Sequence, residues 1–200
     1  NPPQTQINIG TSNVQIEMGN LDFINIDQAC EYVLRFPTVA DKTFLIHIGD
    51  RTVGGLVSQD QFVGPWQVPV SDVGVTIKDH SSFQGEAMAI GERTPIAILN
   101  PSASGRLAVG EAITNILSAS IDNISDIKLS ANWMSSIETD AQKQALYETV
   151  EAVTLDLCSK LGLVIPVGKD SLSMQTTWEE ADVTKKVTAP LSLVVSAFAP

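Results

Sequence analysis

The stretch SASGRLAVGEAITNILSASIDNISDIKLSANWM, Ser102 to Met134, changes its hydrophobic period midway. Leu107, Ala108, Ala112, Ile116 and Ala119 fall near one stripe at helical spacing, which predicts a helix over 102–120. Ile127–Met134 reads as a strand. Toward the C-terminus, a long helix is expected over Asp140–Leu161, with Ala145, Val150, Val153 and Leu157 among its apolar positions and Gly162 ending it. A strand follows at Val164–Val167. Leu172–Trp178 and Val187–Phe198 read as two antiparallel strands around the polar turn EEADVTKK. Toward the N-terminus, Pro95–Leu99 reads as a short strand, Gly85–Gly91 as a short helix, and Val70–Ile77 and Thr43–Ile48 as strands. Asp27 is expected to cap a helix that runs through Phe36 and stops at Pro37. Residues 1–25 are polar and irregular, a leader or linker before a single domain over 26–200. Helices interrupting strands in this order predict an α+β fold, a mixed or antiparallel sheet with helices packed on one face, rather than a doubly wound parallel sheet.

Composition narrows the partners. Two hundred residues at 44% hydrophobic content suffice for one real core, and no apolar run approaches the length of a bilayer span. Lys and Arg number 12 against 23 Asp and Glu, for a net charge of -11. Such a surface repels phosphate backbones and anionic lipid, so neither nucleic acid nor membrane is an expected partner. An anionic ligand would need a metal ion or backbone amides. Cys30 and Cys158 lie far apart, outside any zinc spacing, and read as buried thiols in a reducing cytosol. No signal peptide is visible, the first residue is not Met, and the last stretch, PLSLVVSAFAP, is apolar to its end. The chain is therefore expected to be a piece of something longer.

Three groups of residues could carry chemistry. Within GEAITN, Glu111 and Asn115 stand at i, i+4 on one helix face among apolar neighbours. Two oxygen donors one turn apart suit a hard cation such as Mg²⁺; an exposed polar stripe, or a Glu paired with Lys or Arg from elsewhere, is the plainer alternative. Asp72, in VPVSDVGV, sits at a strand start, where it serves either loop amides or a metal. In VGKDSLSM a strand leads into Gly168, Lys169 and Ser171: glycine admits close backbone approach, and Lys and Ser can both meet a phosphate. The motif lacks P-loop spacing, and a simple turn explains it equally well. His47 and His80 have no zinc-like spacing. The glycine-rich segment GDRTVGGLVSQDQFVGPWQVPVSD, 49–72, reads as a long loop or as a mobile rim over a cleft.

Taken in order, GDRTVGGLVSQDQFVGPWQVPVSD, SGRLAVGEAITNI, KLSANWM and IPVGKDSLSM resemble the large, single-chain phosphoribosylformylglycinamidine synthases over residues 27–200. The resemblance is to one subdomain, the first half of the second of two pseudo-repeats that share the aminoimidazole ribonucleotide synthetase fold. It implies a part in the ATP- and glutamine-dependent conversion of formylglycinamide ribonucleotide to its amidine, in which ATP activates the amide oxygen and ammonia displaces phosphate. The histidine-rich ETHNHP-type motif and a glycine-flanked nucleophilic cysteine are absent, so this chain alone is not expected to catalyse the reaction. The resemblance further implies an auxiliary Mg²⁺-ADP site, with Asp72, Glu111 and Asn115 as metal ligands and Ser71 and Lys42 against the nucleotide. Gly168, Lys169 and Ser171 would instead face the active site and its small-molecule substrate. Smaller relatives carry Asn where Lys169 stands; an ammonium cannot ligate magnesium, so a direct phosphate contact is the natural substitute. The remaining subdomains, including a glutaminase, are the implied partners, and the isolated piece is expected to form a homodimer through its open sheet face.

Overall fold

The computed structural model describes residues 25–37, 39–41, 43–48 and 56–200. The expected leader up to residue 24, Lys42, the first part of the glycine-rich segment (49–55) and the side chain of His47 lie outside them.

The first helix, α1 (Ile26–Arg35), starts at a capping box: the Asn25 carboxamide accepts from Gln28 N, and Gln28 answers to Asn25 N. Asn25, not Asp27, is thus the cap, and Asp27 lies in the first turn. The apolar run Thr43–Ile48 forms a short helix, α2, rather than the expected strand. Asp41 accepts from Thr43 N at 2.9 Å and so opens a helical turn, while a run this short carries no decisive period.

Six strands make one sheet in the order β1-β2-β3-β8-β4-β5. They are β1 (Val57–Gln59), β2 (Val73–Ile77), β3 (Gly85–Glu92), β4 (Lys128–Met134), β5 (Val164–Ser171) and β8 (Ser192–Ala199). All neighbours are antiparallel except β4 and β5. The sheet is mixed, with helices on one face, as the α+β reading requires. Facing those helices, Val73, Ala89, Leu129 and Val195 are buried in one core. Against them packs α4 (Pro101–Ile116), which buries Ala108, Val109, Ala112, Ile113 and Ile116. Asn100 caps α4 through Ala103 N, and Pro101 sits in its first turn. Leu107 points outward, and Ala119 falls beyond the helix end.

Gly85–Glu92 is a strand where a short helix was expected. Its alanines favour helix locally, but the contacts decide otherwise. A Cβ on Gly91 would stand 2.0 Å from Ala108 O and 2.5 Å from Ala112 N, so β3 touches the α4 backbone through bare glycine. Pro95–Leu99 also changes class: Thr94–Ala97 is a helical turn, α3, with proline in its first turn.

The long C-terminal helix begins at Thr139, whose hydroxyl and Gln142 form a second capping box. It runs as α5 (Asp140–Glu151), a π-helical stretch over Ala152–Cys158, and α6 (Ser159–Leu161), ending on left-handed Gly162 at φ 69°. The wider π turn puts Val153 and Cys158, an i, i+5 pair, into the same core. Burial pushes the Cys158 thiol above its ordinary value, whereas Cys30, expected to be buried too, is exposed on α1, which buries no residue. At neutral pH iodoacetamide is expected to label Cys30 in the native protein and Cys158 only on unfolding. Mass spectrometry of the labelled peptides measures this, and equal labelling of both would contradict the packing.

The final strands pair differently from expectation. β6 (Gln175–Glu180) and β7 (Val183–Thr188) make a separate hairpin that turns at Ala181 and Asp182, both at positive φ, while β8 leaves it to enter the main sheet. A two-residue loop with two positive φ values matches the twist of the hairpin, and Val183 and Thr184 suit a strand better than a polar loop. An ion pair from Lys186 to Glu138 ties the hairpin to the segment before α5. That hydrogen bond, then a second from Gln175, holds the Glu138 carboxyl below its usual range. A depressed carboxyl stabilises above its unfolded pKa, so this tether is present at neutral pH and lost as pH falls through the folded-state value. Carboxyl-carbon NMR of Glu138 is expected to titrate below ordinary glutamates, and Lys186→Ala to move it back toward them, with the Gln175 hydrogen bond still holding part of the depression.

Candidate functional site

β1, β2, the end of β3 and one face of α4 enclose a cleft of about 730 Å³. Ser71, Asp72, Glu111 and Asn115 all line it, although they come from two distant parts of the chain. The described half of the glycine-rich segment supplies its outer wall through Val57, Gln59 and Gln61. That wall is anchored: Phe62 is 2% exposed and bridges Val70, and Gly64 takes a left-handed φ of 77° at the tip between them.

Three of the four predicted cleft residues have a defined hold. Ser71 Oγ donates to Val73 O at 3.1 Å and accepts from Gln59 Nε2 at 3.3 Å. Asp72 is exposed just ahead of β2 and carries no hydrogen bond or ion pair among the described residues. Asn115 Nδ2 donates to Ile90 O at 3.1 Å, which fixes the amide, and its Oδ1 has no hydrogen-bond partner among the described residues. Glu111 is half-buried. Its Oε2 accepts from Glu92 N at 2.8 Å, and its Oε1 meets Arg93 Nη2 at 2.8 Å. The plainer alternative for Glu111, pairing with a basic residue from elsewhere, is therefore realised, inside the same cleft as the other candidates.

Among the described residues no three His, Cys, Asp or Glu side chains form a metal cluster. The oxygen donors lining the cleft include the carboxylates of Asp72, Glu92 and Glu111 and the amide of Asn115, all hard. Such a set fits Mg²⁺ in kind, provided that phosphate, water or a neighbouring subdomain completes the shell.

Gly168, Lys169 and Ser171 lie elsewhere. The expected short strand runs on to Ser171, so these residues sit within β5, at the sheet edge opposite β1. Lys169 Nζ donates to Ser171 Oγ at 3.2 Å, and Lys169 pairs with Asn132 across β4. A Cβ at Gly168 would meet only Ala131 O, at an ordinary 3.5 Å, so the sheet itself does not demand glycine there. Sequence reasoning missed Arg93. Its signal was faint: a lone basic residue two positions before Pro95, with its partner Glu111 far along the chain.

A family model described as the FGAR-AT PurM_N-like domain matches residues 41–200. The chain belongs to this family. The match spans the sheet, the cleft and β5 together. Among solved structures, this PurM_N-like domain is similar to PurLQS from Thermotoga maritima, with 16% identity and a TM-score of 0.49 over 64% of the chain. It is also similar to T. maritima PurL complexed with ATP, with 18% identity and a TM-score of 0.47 over 74% of the chain. A HypE-HypF complex matches at 14% identity and a TM-score of 0.43, over 64% of this chain and 35% of that one. The domain spans 19% of the PurLQS chain and 26% of the ATP-bound PurL chain. Membership of the family rests on the family model. Among the described residues, no helix is long and apolar enough to cross a membrane.

Proposed function

We propose that this domain is one subdomain of a cytoplasmic phosphoribosylformylglycinamidine synthase and holds a magnesium-bridged adenine nucleotide in the cleft between β2 and α4. The observation that carries this reading is the convergence of Ser71, Asp72, Glu111 and Asn115 on one hollow. Asp72, Glu111 and Asn115 would hold Mg²⁺, which supplies charge neutralisation for a diphosphate when bound. Ser71 would turn its hydroxyl hydrogen from Val73 O to a phosphate oxygen, and Lys42, outside the described residues, belongs to the same proposal. Isothermal titration of the full-length protein with ADP, with and without Mg²⁺, tests it. Asp72→Asn is expected to weaken the Mg²⁺-dependent component at least about tenfold, and unchanged binding would refute the assignment.

In this reading Gly168, Lys169 and Ser171 form a wall of the active site, where the bare backbone at 168 admits substrate and Lys169 meets phosphate. Ser171→Ala is then expected to raise KM for formylglycinamide ribonucleotide; unchanged kinetics would remove the residue from the site. The distance across the sheet between the cleft and β5 favours a second reading of the nucleotide as a brace for β1, β2 and α4, remote from bond making. Under that reading Glu111→Ala lowers the melting temperature more than it lowers turnover.

The sheet face away from the helices exposes Met88, Ile90 and Phe198. A neighbouring repeat of the same protein would cover it, and an isolated domain would cover it with a second copy. Light scattering is expected to report a dimer for the isolated domain, and a clean monomer at high concentration would contradict this.

A further inference from the structure

We infer that Arg93 is the switch residue of the cleft: it occupies Glu111 while the cleft is empty and transfers its guanidinium to the ligand's phosphates when a divalent cation takes Glu111. This inference rests on the nucleotide reading above and adds a residue and an order of events to it. Three observations carry it. First, Arg93 is the one basic residue among the described residues lining the cleft, where Asp72, Glu92 and Glu111 are acidic. A diphosphate entering so acidic a hollow needs a positive partner besides the metal, and the planar guanidinium fork suits phosphate. Second, the pair to Glu111 is exchangeable. The Arg93 side chain is 44% exposed, so water screens the ion pair and little holds it shut. Third, the pivot is fixed while the arm is free. Arg93 O accepts from Ser104 Oγ at 2.6 Å and from Ile96 N at 3.1 Å, which clamps the backbone against α4 and α3. Glu111 is held independently by Glu92 N, so it keeps its place after the guanidinium leaves.

Arginine and a divalent cation cannot share Glu111 comfortably, since two cations at one carboxylate repel each other. Arg93 therefore opposes a bare metal ion and favours a metal accompanied by phosphates. That predicts opposite signs for two ligands upon removal of one charge. In the full-length protein, Arg93→Gln is expected to bind Mn²⁺ alone several-fold more tightly, read by electron paramagnetic resonance. The same variant should bind ADP in the presence of Mg²⁺ on the order of tenfold more weakly, read by calorimetry. Arg93→Lys, which keeps the charge but loses the fork, should restore the weak Mn²⁺ binding and only part of the ADP affinity. Thermal unfolding verifies that each variant is folded. Glu111→Gln identifies which binding belongs to this cleft. If Glu111→Gln leaves all nucleotide binding intact, the cleft reading itself is wrong. If Glu111→Gln abolishes binding but Arg93→Gln changes neither ligand, or weakens both alike, the switch is wrong and the site stands.

Discussion

Alanine at position 91 is expected to cost this domain about 3 kcal/mol or more, beyond the usual range for overpacking. The added Cβ would fall 2.0 Å from Ala108 O, 2.5 Å from Ala112 N and 3.1 Å from Ala108 C. All three are backbone atoms of α4, so no side chain can rotate away; the helix must lift from the sheet. That helix carries Glu111 and Asn115, and the lift would open the cleft as well as the core. For a domain of this size such a loss lowers the melting temperature by roughly 6–12 °C. Gly110→Ala is the control. Its Cβ would meet nothing within 4 Å, and an exposed glycine inside a helix disfavours it. Alanine there should stabilise by up to about 1 kcal/mol. Thermal melts of both variants decide the matter, and a Gly91→Ala protein that melts with the wild type would show that β3 and α4 are not in backbone contact.

Glu111→Gln should separate binding from folding. The amide oxygen of glutamine can still accept from Glu92 N, so the buried donor keeps its partner. The lost ion pair to Arg93 is half-exposed and worth at most about 1 kcal/mol. Melting without ligand should therefore change little. Binding should change greatly. Loss of even an outer partner of a metal ligand costs about 10–100-fold, so loss of the charged ligand itself should cost at least about 100-fold in Mg²⁺-dependent ADP affinity. With ADP and Mg²⁺ at 100 times the dissociation constant, the wild type gains about 2.7 kcal/mol and melts higher, whereas the variant should gain almost nothing. A variant whose melting point rises as far as the wild type's would remove Glu111 from the metal site.

The parts of this molecule that the sequence revealed share a cause, and so do the parts that it concealed. α4 and α5 are long and bear dense apolar stripes, so periodicity found both. Glu111 and Asn115 share a helical turn, and local spacing alone suggested their joint role. The fold class followed from the alternation of such elements. The errors lie where a distant contact outvotes a local preference. GEAMAIG has helix-favouring alanines and still forms a strand, because only small residues fit beneath α4. Thr43–Ile48 is too short for its period to be read at all. The pairing of β8 with β3 and β4, rather than with β7, is a tertiary choice that no window of neighbouring residues encodes. Arg93 escaped for the same reason: its partner, Glu111, lies beyond an entire helical turn and most of α4.

The position of β8 also dictates when the domain can exist during synthesis. Of the six sheet strands the last to be synthesised is a middle one, with β3 on one side and β4 on the other. Until Ser192–Ala199 emerges, the growing chain is two half-sheets, each with a raw hydrogen-bonding edge and nothing to join them. Assembly of the sheet therefore waits for Ser192–Ala199, and until then both half-sheets need shielding from self-association.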